Sequence, residues 1–155
     1  MSISLVPYLN FPSGGTRAAF EHYRSIFGGE VNYLTFGDTG VPDMPADGIM
    51  HARLVSDSFT LMASDAQPGA EDTWGGTRVY LAFMAEGAED ADTVVGWFAA
   101  LAVGGSVGVP LAMQGWGSFY GDVKDAFGIE WMVNLTAPEG WAPSRSEEHT
   151  SELQS

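Results

Sequence analysis

His51 is the residue whose type and position most directly suggest chemistry. It lies midway along Ile49–Val55, where apolar and polar residues alternate as in a half-buried strand. On such a strand His51 shares a face with Arg53, opposite Ala52 and Leu54. An imidazole titrates near neutral pH, so His51 on an open face could act as a general base. The alternative is a strand histidine whose ring nitrogen is satisfied by a hydrogen bond from a neighbouring side chain.

A second candidate region runs from Gly115 to Leu135. It alternates as two strands around a turn at Asp125–Gly128, which predicts a β-hairpin. One face of the hairpin is apolar and is expected to lie in the core. The other face combines large side chains with an amide, as small-molecule clefts do, and carries Trp116, Tyr120, Met132 and Asn134. The alternative is that these rings only fill a core.

Composition and net charge exclude several classes of binding partner and of chemical site. The 155 residues carry a formal net charge of −14 and contain no cysteine. Binding to phosphate backbones needs clustered lysine and arginine, so we expect neither nucleic acid nor an anionic membrane as a partner. The absence of thiols excludes disulfides, zinc–thiolate sites and cysteine nucleophiles. The acidity favours a cationic ligand by steering, although an acidic surface also simply aids solubility.

The two ends of the chain lead to separate predictions, one about localisation and one about a foreign tail. The N-terminus lacks the basic region and apolar core of a signal peptide, and no apolar run is long enough to span a bilayer. We therefore expect a cytoplasmic protein with no membrane partner. Residues 145–155 resemble the translation of a common sequencing-library adapter, and we interpret them as an artefactual tail.

Periodicity and turn residues predict the elements that position these candidates. In chain order they are a strand at 3–11, a helix to 27, strands at 31–36, 49–55 and 59–63, a linker-like stretch at 65–76, a strand at 78–84, a helix at 90–101, a strand at 107–113 and the hairpin. Each helix precedes a glycine pair, Gly28–Gly29 or Gly104–Gly105. The order βαβββ thus occurs twice, which indicates a duplication, with module 1 at about 3–64 and module 2 at about 77–136.

This arrangement and several motifs resemble the glyoxalase/bleomycin-resistance/dioxygenase superfamily, also called vicinal oxygen chelate proteins, and within it the PhnB-like branch. The motifs lie at 7–11, 19–29, 49–54, 61–65 and 127–134. The resemblance implies an α+β fold of two βαβββ modules with cup-shaped mixed sheets, one domain over 1–144 and, commonly, a homodimer. It does not fix a reaction, because the superfamily contains isomerases, dioxygenases, transferases and antibiotic-binding proteins.

The resemblance also implies where a metal would be bound. Metal-dependent members use His, Gln or Glu on the first and fourth strands of each module, as a hard or borderline ion requires. Here those positions fall at Pro7 or Tyr8, at Leu61 to Ala63, at Val79 or Tyr80, and near Met132. This set is incomplete, so we expect no metal or other cofactor. The alternative is an unconventional site using residues such as His51 and Glu130, in a metal-dependent lyase, isomerase or dioxygenase.

The sequence therefore predicts a protein that binds a small organic molecule in an aromatic-lined cup. The predicted lining comprises Tyr8, Asn10, His51, Arg53, Trp116, Trp131 and Asn134. The rings would form walls, the asparagines would form hydrogen bonds, and Arg53 would balance an anionic group. His51 is the candidate catalytic residue. A purely structural dimer with a vestigial cup remains a third interpretation.

Overall fold

The structure is a computed structural model that describes residues 4–12, 14–66, 80–114, 118–136 and 141. The chain divides into two compact units, Met1–Gly75 and Gly76–Ser155. Each unit contains a four-stranded mixed sheet with a long helix packed on one of its faces.

The first unit follows the predicted element order, with one short helix added. Its elements are β1 (Tyr8–Phe11), α1 (Gly15–Phe27), β2 (Glu30–Thr35), α2 (Phe36–Thr39), β3 (Ile49–Val55) and β4 (Thr60–Asp65). The strand order is β1-β4-β3-β2, with β1 parallel to β4 and the other pairs antiparallel. Pro7 lacks a donor and precedes an edge strand, as predicted, but the strand begins at Tyr8 and not at residue 3.

The short helix α2 lies where the sequence predicted only a polar loop. It is stabilised by a capping box, in which the Thr35 hydroxyl accepts from the Asp38 N–H and the Asp38 carboxylate accepts from the Thr35 N–H, both at 3.0 Å. The prediction missed it because four residues are too few to show a helical period.

The core of the first unit lies between its sheet and α1. Alternation along β3 and β4 buries one side of each strand, and α1 buries its apolar stripe against that side. The buried apolar side chains of this unit are Phe11, Ala19, Phe20, Tyr23, Phe36, Ile49, Ala52, Leu54, Leu61 and Ala63. The opposite, outer face of the sheet therefore carries the remaining strand residues, including His51 and Arg53.

The second unit repeats the same topology. Its elements are β5 (Leu81–Glu86), α3 (Ala88–Ala102), β6 (Ser106–Met113), β7 (Phe119–Lys124) and β8 (Glu130–Thr136). The strand order is β5-β8-β7-β6, with β5 parallel to β8. Two sheets with the same order and the same parallel pair confirm the predicted α+β fold of two βαβββ modules.

Aromatic side chains fill much of the core of the second unit. Trp131 stacks on Phe83 at a centroid distance of 5.3 Å, and Phe83 also contacts Trp97 on α3 at 5.0 Å. Trp141 packs edge-on against Phe119 and donates a hydrogen bond of 2.8 Å to Asp92. The chain beyond β8 thus returns to α3 and β7.

Asp65 fixes the start of α1 from across the first unit. The preceding residue, Gly14, has φ 82° and no side chain with which to cap the helix. One carboxylate oxygen of Asp65 accepts from the Thr16 N–H at 3.0 Å, and the other accepts from the Ile49 N–H at 2.9 Å. The sequence assigned Asp65 to the linker. That assignment is wrong, because Asp65 ends β4 and its buried carboxylate satisfies two backbone donors.

Gly105 allows a close approach between two segments of the second unit. A Cβ atom at this position would overlap the carbonyl of Lys124 and the backbone of Asp125. The position follows α3 in the same way that Gly29 follows α1, and a Cβ at Gly29 would overlap the carbonyl of Val55. The second glycine of each predicted pair therefore makes room for a neighbouring strand end.

Among the helices of the described residues, none has the combination of length and apolar character that crossing a bilayer demands.

Candidate functional site

The outer face of the first sheet brings together the four candidates that belong to this unit. We call the outer-facing set Tyr8, Asn10, His51, Arg53, Met62 and Ser64 the first outer face. Strand register explains the grouping, since Tyr8 pairs with Met62 and Met62 pairs with Arg53. Three adjacent strands thus present polar and aromatic groups side by side.

Two hydrogen bonds cross the first outer face. The Tyr8 hydroxyl lies 3.2 Å from Nδ1 of His51, and the two rings are 5.8 Å apart at their centroids. The Ser64 hydroxyl donates to Oδ1 of Asn10 at 3.3 Å. His51 is half-buried and Tyr8 is exposed, so a ligand on this face could reach both rings.

The Tyr8–His51 contact determines what His51 could do chemically. If Tyr8 donates to Nδ1, then the neutral imidazole carries its proton on Nε2 and acts there as a donor. If Nδ1 carries the proton and donates to Tyr8, the Nε2 lone pair is available as a base. The general-base interpretation of His51 requires the second tautomer.

Arg53 is the cationic group of the first outer face. It is exposed and lies between Asn32 on β2 and Met62 on β4. Within the described residues Arg53 forms no ion pair, whereas Arg24 on α1 is paired with Glu21 at 2.7 Å. The Arg53 guanidinium therefore has its N–H donors available for a carboxylate or phosphate group.

The second unit also has an outer face, and it is acidic. Tyr120 and Asp122 lie on β7 beside Asn134 and Met132 on β8, as the strand register requires. The Tyr120 hydroxyl donates to Asp122 at 2.9 Å, and the other Asp122 oxygen accepts from the Val109 N–H at 3.0 Å. Burial, followed by the hydrogen bond to Asp122, raises the pKa of Tyr120 to about 12.

Glu130 lies at one end of this face. Its carboxylate is 3.5 Å from Nζ of Lys124. A hydrogen bond to Glu130 is the main cause that raises the pKa of Tyr80. Glu130 is thus engaged by two neighbours within its own unit.

An open depression of about 560 Å³ lies at the opposite end of the strands, where β5 leads into α3. It is lined by Met84, Ala85, Glu86, Asp90, Ser118, Asn134 and Thr136. Its volume falls in the range of small-molecule sites. Of the predicted lining residues, Asn134 reaches this depression.

Sequence reasoning missed Glu86 and Asp90. The predicted strand ended at Met84, so Glu86 was not placed on the sheet, whereas β5 continues to Glu86. Asp90 was assigned only to the first turn of the helix, which is correct, but this turn also borders the depression. No alternation marks Glu86 as part of the strand, because residues 81–85 are all apolar and mask the period.

Trp131 does not belong to the outer face. It is 2% exposed and lies on the same side of β8 as Val133 and Leu135, against Phe83. Its indole N–H donates to Oδ2 of Asp125 at 2.8 Å. The prediction that Trp131 forms a wall of the cup is wrong, because strand alternation turns its side chain toward the core.

Trp116, the remaining candidate, lies outside the described residues.

The positions that the resemblance assigns to metal ligands offer little donor chemistry. Those that the structure describes carry Pro7, Tyr8, Leu61–Ala63, Tyr80 and Met132. Over the described part of the chain, no three His, Asp or Glu side chains form a group that could hold an ion. These residues do not fit a divalent site of the kind that the superfamily uses.

Comparison with known proteins identifies relatives along most of the chain. The chain is 40% identical to protein PA1353 from Pseudomonas aeruginosa, with a TM-score of 0.74, over 88% of this chain and 100% of that one. It is 27% identical over 145 residues to protein YjdN from Escherichia coli strain K12, which is 84% of this chain and 94% of that protein. No protein-family model matches the chain.

Two more distant structures share the fold. The PhnB protein from Bacillus cereus is 21% identical with a TM-score of 0.64, over 86% of this chain and 99% of that one. A glyoxalase/bleomycin resistance protein/dioxygenase family enzyme from Burkholderia phytofirmans PsJN is 13% identical with a TM-score of 0.53, over the same shares of the two chains. The chain belongs to the glyoxalase/bleomycin resistance/dioxygenase superfamily.

The likeness to the PhnB protein supports the PhnB-like branch of this superfamily. Superfamily membership explains the duplicated βαβββ topology and the pairing of β1 with β4 and of β5 with β8. It leaves the activity open, because one fold supports many reactions.

Proposed function

We propose that this protein binds a small organic molecule on the outer face of one of its sheets and does so without a divalent metal ion. The observation that carries the proposal is the depression of about 560 Å³ in the second unit, which includes Asn134. Within this concave surface the hydroxyls of Ser118 and Thr136 and the amide of Asn134 are available to hydrogen-bond a ligand.

The first outer face supports the same proposal. Tyr8 supplies an exposed ring, Asn10 supplies an amide, and Arg53 supplies an accessible cation. An Arg fork recognises carboxylate or phosphate groups in two-point contacts. We therefore expect Arg53 to contact an anionic group where the ligand has one.

The test is a small-molecule screen on the full chain, read by thermal shift and confirmed by calorimetry. Compounds that raise Tm are then titrated into the Asn134→Ala and Arg53→Ala variants. The matched control is Arg24→Ala, since Arg24 lies on α1, which packs on the other face of the sheet. We expect at least one of the two site variants to weaken binding about tenfold or more, while the control binds as the wild type does. If no compound binds, or if both site variants match the control, the proposal fails.

The metal-free part of the proposal rests on the donor chemistry at the expected ligand positions. Calorimetric titration with Ni²⁺, Zn²⁺ and Mn²⁺ tests it directly. Saturable binding at one ion per chain that is lost in His51→Ala but kept in His22→Ala would contradict it. That result would instead support the metal-dependent lyase, isomerase or dioxygenase.

A second candidate function is proton transfer by His51, favoured by the Tyr8 hydroxyl at 3.2 Å from Nδ1. A general base needs the Nδ1–H tautomer, with the Nε2 lone pair facing the substrate. Nitrogen-15 NMR of the imidazole distinguishes the two tautomers. Finding the proton on Nε2 in the neutral ring would remove this candidate.

We also propose that the protein forms a homodimer. Met113 on β6 is 56% exposed, and among the described strands β6 is an edge strand of its sheet. An exposed apolar side chain on an edge strand favours association. Sedimentation equilibrium of the full chain tests this, and a monomer at micromolar concentration would contradict it.

A further inference from the structure

We propose that the depression of the second unit selects small organic cations, such as quaternary or primary ammonium compounds. This inference rests on the proposed function and specifies the class of ligand for one part of it. The described lining of the depression includes two carboxylates, Glu86 and Asp90, and no basic side chain.

The two carboxylates approach the depression from different elements. Glu86 is the last residue of β5 and is exposed, and Asp90 lies in the first turn of α3. Neither belongs to either of the ion pairs found among the described residues. Their charges are therefore not neutralised by a neighbouring lysine or arginine in the described part of the unit.

The remaining lining suits the uncharged part of an ammonium ligand. Met84 is 70% exposed, and its flexible thioether can pack against methyl groups. The Ser118 and Thr136 hydroxyls and the Asn134 amide can accept hydrogen bonds from a primary ammonium or a ligand hydroxyl.

The helix dipole of α3 favours an anionic ligand instead of a cation. The N-terminus of α3 carries the positive end of the helix dipole, equivalent to roughly half an elementary charge. Asp90 in that first turn, together with Glu86, places two full negative charges at the depression. The carboxylates outweigh the dipole, so the local potential attracts cations.

The probes are choline and its uncharged carbon isostere, 3,3-dimethylbutan-1-ol, which have nearly the same shape. Each is titrated into ¹⁵N-labelled full-length protein, and amide chemical shifts locate the binding site. We expect choline to bind more tightly than the alcohol and to shift the amides of Ala85 and Asn134. We also expect its affinity to fall as salt is raised, because charges on an exposed site are screened.

The variants are Glu86→Gln and Asp90→Asn, with Glu89→Gln as the matched control. Glu89 lies in the same helical turn but does not line the depression. Each site variant should weaken choline about two- to fivefold, the range expected for one partly exposed charge, and the control should bind like the wild type.

Other outcomes overturn the inference in distinguishable ways. Equal affinity for choline and the alcohol would show that charge does not matter. Equal weakening by Glu89→Gln would show only a general effect of the acidic surface. If neutral or anionic compounds from the screen bind while choline does not, the proposed function stands and the cation preference fails. If no compound binds, both fail.

Discussion

The Asp65 carboxylate joins the first turn of α1 to the beginning of β3 through the backbone N–H groups of Thr16 and Ile49. These three residues are far apart in sequence, and Asp65 is 6% exposed. One side chain thereby positions the helix relative to the sheet whose outer face carries Tyr8, His51 and Arg53.

Replacing Asp65 with alanine should destabilise the protein by about 2–4 kcal/mol, because two buried N–H donors lose their acceptor. Urea denaturation followed by circular dichroism measures the effect. The control is Asp57→Ala in the exposed β3–β4 turn, which should change the free energy of unfolding by less than about 0.5 kcal/mol. Equal effects of the two substitutions would contradict the assigned role of Asp65.

Trp131→Phe should destabilise the protein by about 2–3 kcal/mol. The substitution removes part of a buried indole and leaves Oδ2 of Asp125 without its 2.8 Å donor. Thermal and urea unfolding measure the loss. Because Trp131 lies in the core, a compound that binds an outer face should keep its affinity in this variant.

Tyr80→Phe is the control for Trp131→Phe, since Tyr80 is an exposed ring on the outer face. It should leave the stability within about 0.5 kcal/mol of the wild type. A Trp131→Phe variant that is as stable as Tyr80→Phe would contradict the core assignment.

Stability should fall between pH 10 and pH 12, in part through Tyr120. The pKa of Tyr120 is raised from 10.0 to about 12 in the folded protein, mainly by burial. The unfolded chain therefore loses this proton at lower pH than the folded chain, and rising pH favours unfolding across that window. Below pH 10 the contribution is fully present.

Tyr120→Phe removes one ionisable group and should make the fall in stability shallower. Tyr33, whose pKa is also raised to about 12 by burial, remains as a second source. Urea midpoints at pH 9, 10, 11 and 12 give the comparison, and absorbance at 295 nm follows phenolate formation directly. Identical pH dependence in the variant and the wild type would contradict the assigned pKa.

Two glycines of the second unit should respond to alanine in opposite directions. Gly105→Ala should cost more than about 3 kcal/mol, because the new Cβ would overlap the carbonyl of Lys124. Gly96 lies inside α3 with open space at its Cβ position, so Gly96→Ala should stabilise by about 0.5–1 kcal/mol. Differential scanning calorimetry measures both, and shifts of the same sign would contradict this account.

Much of the fold could be predicted because each strand has one buried side. Alternation along β3, β7 and β8 identified both the elements and their core faces, and the glycine pairs marked the helix ends correctly. The duplication followed from element order alone. Boundaries were less accurate, because segments such as residues 81–86 contain apolar residues on both faces and mask the period.

The candidate site was predictable only where it depends on strand parity, the alternation of successive side chains between the two faces of a strand. Parity placed Tyr8, Asn10, His51 and Arg53 on one face, and the register then brought Tyr8 to His51. Trp131 was chosen for its chemistry against this alternation, which correctly turns its side chain inward on β8. Asp65, Glu86 and Asp90 act through tertiary contacts between separate elements, and no local pattern in the sequence reports such contacts.

The parallel pairing of β1 with β4 also sets an order of assembly during synthesis. β2, β3 and β4 are consecutive antiparallel neighbours and can associate as soon as they emerge from the ribosome. β1 is made first but has no strand partner until β4, the last strand of its unit, is complete. Closing that long loop has an entropic cost that the antiparallel strands avoid. The nascent chain therefore exposes its first strand longest, and Tyr8 and His51 meet only in the final step of the first unit's assembly.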